Sequence, residues 1–113
     1  MHCGDLRERI VFEARVAVDD AAGAREGEFI DQFTLAARIQ PLRGGEEVMA
    51  QRLEGVQPVI ILVRASTISR RIAADWRARD DRNGMTYAIT APPVDMLEDR
   101  RFLTILAATE KAA

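Results

Sequence analysis

The residues able to do chemistry in this chain are few and poorly placed for it. Its one histidine and one cysteine, His2 and Cys3, are adjacent near the start of the sequence. A Ser–His or Cys–His nucleophile would have to be built on that terminus, and a metal site there lacks further ligands nearby. Glu46-Glu47 and Asp80-Asp81 are neighbouring carboxylates. Adjacent residues on a helix or strand point apart, so neither pair sets two carboxylates on one substrate. Both read as solvated charge. Gly44-Gly45 has neither the trailing lysine nor the preceding glycine of a phosphate cradle. Arg70, Arg71, Arg77, Arg79, Arg82, Arg100 and Arg101 would form a basic patch if the fold gathered them. Asp75, Asp80, Asp81 and Asp99 are interleaved with them, which reads as ion-paired, neutral surface. Trp76 reads as a core or interface residue rather than a base-stacking platform. The expectation is a protein that is not an enzyme, with no catalytic residue, no cofactor and no metal.

The elements that would carry these residues are mostly strands. Over Phe33–Gln40, Phe33, Leu35, Ala37 and Ile39 share one face and Thr34, Ala36, Arg38 and Gln40 the other. This second strand is expected to span about 29–41. The first, within 6–16, places Leu6, Ile10, Phe12, Ala14 and Val16 on one side. Arg7, Arg9, Glu13 and Arg15 fall on the other, a face expected to be solvated or to pair with a neighbouring subunit. Between these strands, 17–28 carries Asp19, Asp20, Gly23 and Gly27 without periodicity and reads as a long, mobile hairpin loop. Pro41-Leu42 and Gly44-Gly45 lead to Glu46-Glu47, which open a short helix whose dipole favours anions in the first turn. Gly45 is its expected cap, Gly55 its end, and Met49 and Leu53 its buried stripe.

Val59–Val63, an unbroken VIILV, reads as a strand buried on both faces, with Pro58 tolerated at its first position. Residues 66–75 read equally well as a helix, with Ile68, Ile72 and Trp76 four apart, or as a loop. Trp76–Asp80 and Met85–Ala91 form a hairpin joined by Asp81-Arg82-Asn83-Gly84, in which Asn83 and Gly84 both tolerate positive φ. Pro92-Pro93 ends it, a charged connection over 95–101 follows, and the last strand is 102–108. The fold class is therefore all-β in the main, a small six-stranded antiparallel barrel with one short helix.

At 113 residues the chain is long enough for one modest core, and 1–113 is expected to be a single domain. A hydrophobic content of 48% with 30% charged residues excludes wholesale disorder. The net charge of −2 argues against a dedicated nucleic-acid binder. Lys111 is the single lysine beside many arginines, which suits bidentate pairs at protein interfaces and also follows from coding composition alone. No run approaches the ~20 apolar residues that span a bilayer. No signal peptide is read, so assembly in a cytoplasm is expected.

The order of motifs resembles that of the phage head–tail joining (stopper, or head completion) proteins of long-tailed bacteriophages and gene transfer agents. Gly4-Asp5-Leu6-Arg7-Glu8-Arg9-Ile10 is similar to the family's opening G-x-L-R-x-R-I strand. Asp20 and Gly23 match its loop. Ala37-Arg38-Ile39-Gln40-Pro41-Leu42, followed by Gly45, Glu47 and Ala50, matches its strand and G-x-E segment. Arg64 ends the third strand, Trp76-Arg77, Gly84, Tyr87 and Ile89 match the later hairpin, and Asp99-Arg100-Arg101 leads to the last strand. The likeness covers about 4–108. Phe33 departs from a common tryptophan, and 66–75 is longer than the usual Pro-rich link.

The resemblance implies a structural connector of the virion neck, assembled in a host cytoplasm. Its partners would be copies of itself in a ring of about six rather than about twelve, a portal or adaptor protein above, and a tail terminator or tail tube protein below. Double-stranded DNA would pass without specific binding, and no membrane is involved. The implied channel loop holds Arg43, Gly44, Gly45, Glu46, Glu47, Arg52 and Glu54; the implied ring or partner contacts are Asp19, Asp20, Arg25, Asp95, Glu98, Asp99 and Arg100. The competing reading is a small-barrel module that binds nucleic acid or a peptide.

Overall fold

The computed structural model describes residues 6–20 and 23–109, with side chains described except at 16–20, 23–27 and 47. His2, Cys3, the Gly4-Asp5 opening of the first motif and the tail beyond Thr109 lie outside the described residues. The chain forms β1 (Glu8–Asp20), β2 (Gly23–Pro41), α1 (Glu46–Leu53), β3 (Pro58–Arg64), β4 (Arg77–Asp80), β5 (Thr86–Ile89), β6 (Val94–Asp95) and β7 (Phe102–Thr109). All strand pairs are antiparallel. Hydrogen bonding runs β3-β2-β1-β4-β5-β7, and β3 pairs with β7, so the ladder returns on itself through six strands. The expected mainly-β, antiparallel architecture with one short helix is present. β6 is a seventh strand that the sequence does not announce.

Its position explains it. β5 pairs with β7 at Ala107–Thr109, and β6 pairs with the same strand at Leu103 and Thr104. The opposite edge of β7 belongs to β3. β5 and β6 are thus two pieces of one edge, interrupted where Pro92-Pro93 cannot donate backbone hydrogen bonds.

Inward alternation builds the core: Ile10 and Phe12 from β1, Ala37 from β2, Val59, Ile61 and Val63 from β3. Ala78, Tyr87, Ile89, Leu103, Ile105 and Ala107 complete it from the remaining strands. β3 is buried on both faces, as its apolar run requires. Truncating Ile61, which has no exposed surface, to alanine would cost about 2–5 kcal/mol.

Two expectations are corrected, and two are made specific. Residues 17–20 and 23–28 are not a loop, because β1 and β2 continue as a paired ribbon as far as Asp20 opposite Gly23. The pairing continues there without apolar alternation in the sequence, so periodicity does not reveal it. The polar face of β1 is not all solvated: Glu13 is 2% exposed. Residues 66–75 take the loop alternative, with a 3₁₀ turn at Ser69–Arg71, pinned by Ser69 Oγ donating to Arg64 O at 2.8 Å. Within it Ile72 is buried, whereas Ile68 stays exposed. In the β4–β5 turn, Gly84 takes positive φ and Asn83 does not. Asp80 Oδ1 accepts from Arg82 N, and Asn83 Oδ1 from Met85 N, so the expected connection 81–84 extends by one residue, to Met85.

Candidate functional site

Antiparallel closure sends successive connections to alternate ends of the ring. The β1–β2 ribbon, the β3–β4 segment and the β5–β7 connection leave one end. The β2–β3 connection carrying α1 and the β4–β5 turn leave the other. The two groups of residues singled out in the sequence are thereby separated, with 43–55 at one end and the arm and 94–101 at the other.

At the first end, β1 pairs with β4 only over Ile10–Glu13, and β2 pairs with β3 only over Ala37–Pro41. Beyond them β1 and β2 run on together as an arm. Its root is a charged cluster. Arg77 donates from Nε to Glu13 Oε2 at 2.7 Å and from Nη2 to Oε1 at 3.3 Å. Arg79 reaches Glu13 Oε1 at 3.5 Å and Asp31 Oδ2 at 3.2 Å. A register shift between Phe12 and Glu13 leaves Gln32 as an extra residue at this point, the kind of bulge that bends a strand. The guanidinium carbons of Arg15 and Arg77 lie 4.7 and 4.3 Å from the centroid of the Phe29 ring, close enough for cation–π attraction. Below, Phe12, Phe33 and Trp76 form a file with centroids 5.9 and 5.8 Å apart. The arm is therefore rooted rather than loosely tethered. Neither Glu13 nor Phe29 was recognisable in the sequence as part of this site, because the partner Arg77 is far away along the chain.

Of the expected contacts at this end, Asp19, Asp20 and Arg25 lie on the arm: Asp19 pairs with Ala24, Asp20 with Gly23 and Arg25 with Val18. Their side chains lie outside the described residues. Asp95 pairs with Arg70 at 3.0 Å, tying the connection to the 3₁₀ turn. Asp99 accepts from Arg101 Nη2 at 2.7 Å and from Arg101 Nε at 2.9 Å. That hydrogen-bonded guanidinium holds the Asp99 carboxyl down at about 2. Glu98 and Arg100 are exposed.

At the other end, Arg43, Gly44, Gly45, Glu46, Arg52 and Glu54 are all exposed; the Glu47 side chain lies outside the described residues. Gly45 precedes α1 at φ 95° and Gly55 follows it at φ 83°, backbone conformations that favour glycine. Met49 and Leu53 are not a buried stripe: they are 56% and 85% exposed. The helix instead turns Val48 and Gln51 toward a shallow depression shared with Leu42, Pro58, Thr90 and Leu106. Its stem is fixed by Gln57, whose Nε2 donates to the carbonyls of Leu42 and Pro58, each at 2.7 Å. Gln57 N donates to Thr109 Oγ1 at 2.9 Å, and Thr109 N to Gln57 O at 3.0 Å. No sequence pattern marks Gln57.

The large hydrophobic residues left exposed follow the same division. Among the described residues these are Ile30, Met49, Leu53, Ile68, Met85, Val94, Leu97 and Leu106. Leu106 belongs to the wall of the ring and Val94 to the short strand β6 beside it; the others lie on the arm or on connections at one end or the other. No group of histidine, cysteine and carboxylate residues among the described residues could hold a metal. No helix there is long and apolar enough to cross a membrane.

The family model of phage head completion proteins matches residues 1–111. The solution structure of a protein from Shigella flexneri 2a superposes with a TM-score of 0.71 at 24% identity, with all of both chains covered. A chain from the virion of a native gene transfer agent particle superposes with a TM-score of 0.67 at 23% identity, covering 95% of this chain and 96% of that one. At these identities the likeness is one of fold. No curated protein matches the chain.

Proposed function

The chain belongs to the phage head completion protein family, and on that premise we propose that its copies form the connector ring between the portal or adaptor and the tail of a tailed particle. The supporting observation is that the ladder of strands returns on itself with little apolar exposure on its wall, while one end carries exposed Ile30, Ile68, Val94 and Leu97 and the other exposed Met49, Leu53 and Met85. A protein stacked axially between two partners needs surfaces at both ends. One end, with the arm and Asp95–Arg100, meets a neighbouring ring. The other presents residues 43–55 as the channel loop that retains packaged DNA until ejection.

The loop holds Arg43, Glu46, Glu47, Arg52 and Glu54, a small acidic excess. Like charge facing phosphate repels without creating a binding site, which suits a gate that DNA must later cross. About six copies, matched to tail symmetry, is the stoichiometry we favour.

Quantitative peptide mass spectrometry of purified tailed particles tests the placement. The chain should be present at a few copies per particle, near the portal's own level; its absence would overturn the connector role. The gate has its own test, since Glu46→Lys with Glu47→Lys should slow DNA release. Unchanged ejection kinetics would remove the gate and leave the connector.

A further inference from the structure

We infer that the arm is a strand-pairing surface for a second copy of this chain, so that the arms of neighbouring copies join edge to edge into one continuous ribbon. The ring of six strands leaves few backbone edges open. Among the described residues, the longest unpaired strand edges are 14–20 of β1 and 23–36 of β2, both on the same arm. Open edges of this kind are templates for another strand. A lone two-stranded ribbon in water is only marginally stable.

The two edges suit each other. β1 and β2 run antiparallel within one copy. A rotation about an axis along the arm therefore sets β1 of one copy antiparallel to β2 of the next. That contact is heterologous, and repeating the operation closes a cycle in which no arm edge is left open.

Charge order agrees with the pairing. From root to tip, β1 carries Arg15 and then Asp19 and Asp20, whereas β2 carries Asp31, Glu28 and Glu26 and then Arg25. Laid side by side in this orientation, the basic position of one edge falls level with the acidic positions of the other at the root, and the order of signs reverses on both toward the tip. The rooted cluster of Glu13, Arg77 and Arg79 supplies the fixed direction that such a cycle requires.

This inference rests on the ring proposed above, and the experiment separates the two. The full chain carrying p-benzoylphenylalanine at Ile30, which is half-exposed on the β2 edge, is assembled into tailed particles, irradiated and resolved on a denaturing gel. A ladder of multiples of this chain is expected, in which position 30 is joined to residues 14–20 of another copy. The same probe at the exposed Glu28 should give the same ladder. Cross-links to a different virion protein, or only monomer with an internal cross-link, at both positions would overturn the arm-to-arm pairing while leaving the connector role intact. Absence of the chain from the particles would instead overturn the connector role.

Discussion

Replacing Glu13 by glutamine is expected to loosen the arm at its root. The glutamine keeps the shape, so no cavity forms, but it removes the anion that faces Arg77 and Arg79. Breaking a buried ion pair from one side costs about 3–5 kcal/mol when the orphaned charge cannot reach water. Here the Glu13 side chain is 3% exposed, while those of Arg77 and Arg79 are 27% and 35% exposed. Water can therefore meet part of each stranded guanidinium, and the loss falls to about 2–3 kcal/mol. For a domain of this length that lowers Tm by roughly 10 °C. Thermal unfolding of the wild type, Glu13→Gln, Arg77→Met and the double variant isolates the pairwise energy. A coupling above about 1 kcal/mol is expected, together with faster amide exchange over 14–20. A coupling under about 0.5 kcal/mol would place the contact among ordinary surface pairs and refute its role in rooting the arm.

Gln57→Ala removes both side-chain bonds to the stem of the β2–β3 connection; a loss of about 1–2 kcal/mol and faster amide exchange in α1 are expected by hydrogen-exchange mass spectrometry. Carboxyl carbon NMR should find Asp99 titrating at about 2, and Arg101→Gln should return it toward 3.8. Because the folded value lies below the unfolded one, the stability from this contact is present above about 3.8 and is lost as pH falls through about 2. Tyr87 is shifted the other way, above 10.0, by burial and then by Asp80 and Glu8. Its contribution is complete below 10.0 and is lost as pH rises beyond that value, which an ultraviolet titration against an unfolded control would register. In a fluorescence titration at low salt, double-stranded DNA should bind only weakly; tight affinity falling steeply with salt would favour the binding-module reading over the connector.

What the sequence disclosed depended on what each residue is buried against. β3 was legible because a strand covered on both faces must be apolar throughout, and Val59–Val63 is. The alternation from Phe33 to Gln40 was legible because one face meets the core. The arm was not, because its strands are held by pairing with each other, and Asp19, Asp20, Gly23 and Gly27 read locally as turn residues. Met49 and Leu53 show the opposite failure. Helical spacing identifies an apolar stripe but cannot say what covers it, and nothing among the described residues does. Glu13 and Gln57 are invisible for a simpler reason: each acts through a partner distant in sequence, which no local pattern encodes.

The two ends of the ring also differ in how firmly they hold what they present. The arm is rooted by a buried carboxylate with two guanidiniums, an aromatic ring between cations and a bulge that sets its bend. Helix α1 is held at its stem by Gln57, is flanked by glycines at positive φ, and turns only one side toward the ring. A surface that must dock gains affinity from being fixed beforehand, because less ordering remains to be done on contact. A segment that must later move aside needs the reverse: few buried contacts and termini that absorb large changes of φ and ψ. On the connector reading, the arm end therefore belongs to assembly and the α1 end to release. Straining the end of α1 by Gly55→Ala, at a left-handed position where a side chain otherwise meets open space, should disturb DNA release while leaving tail attachment intact.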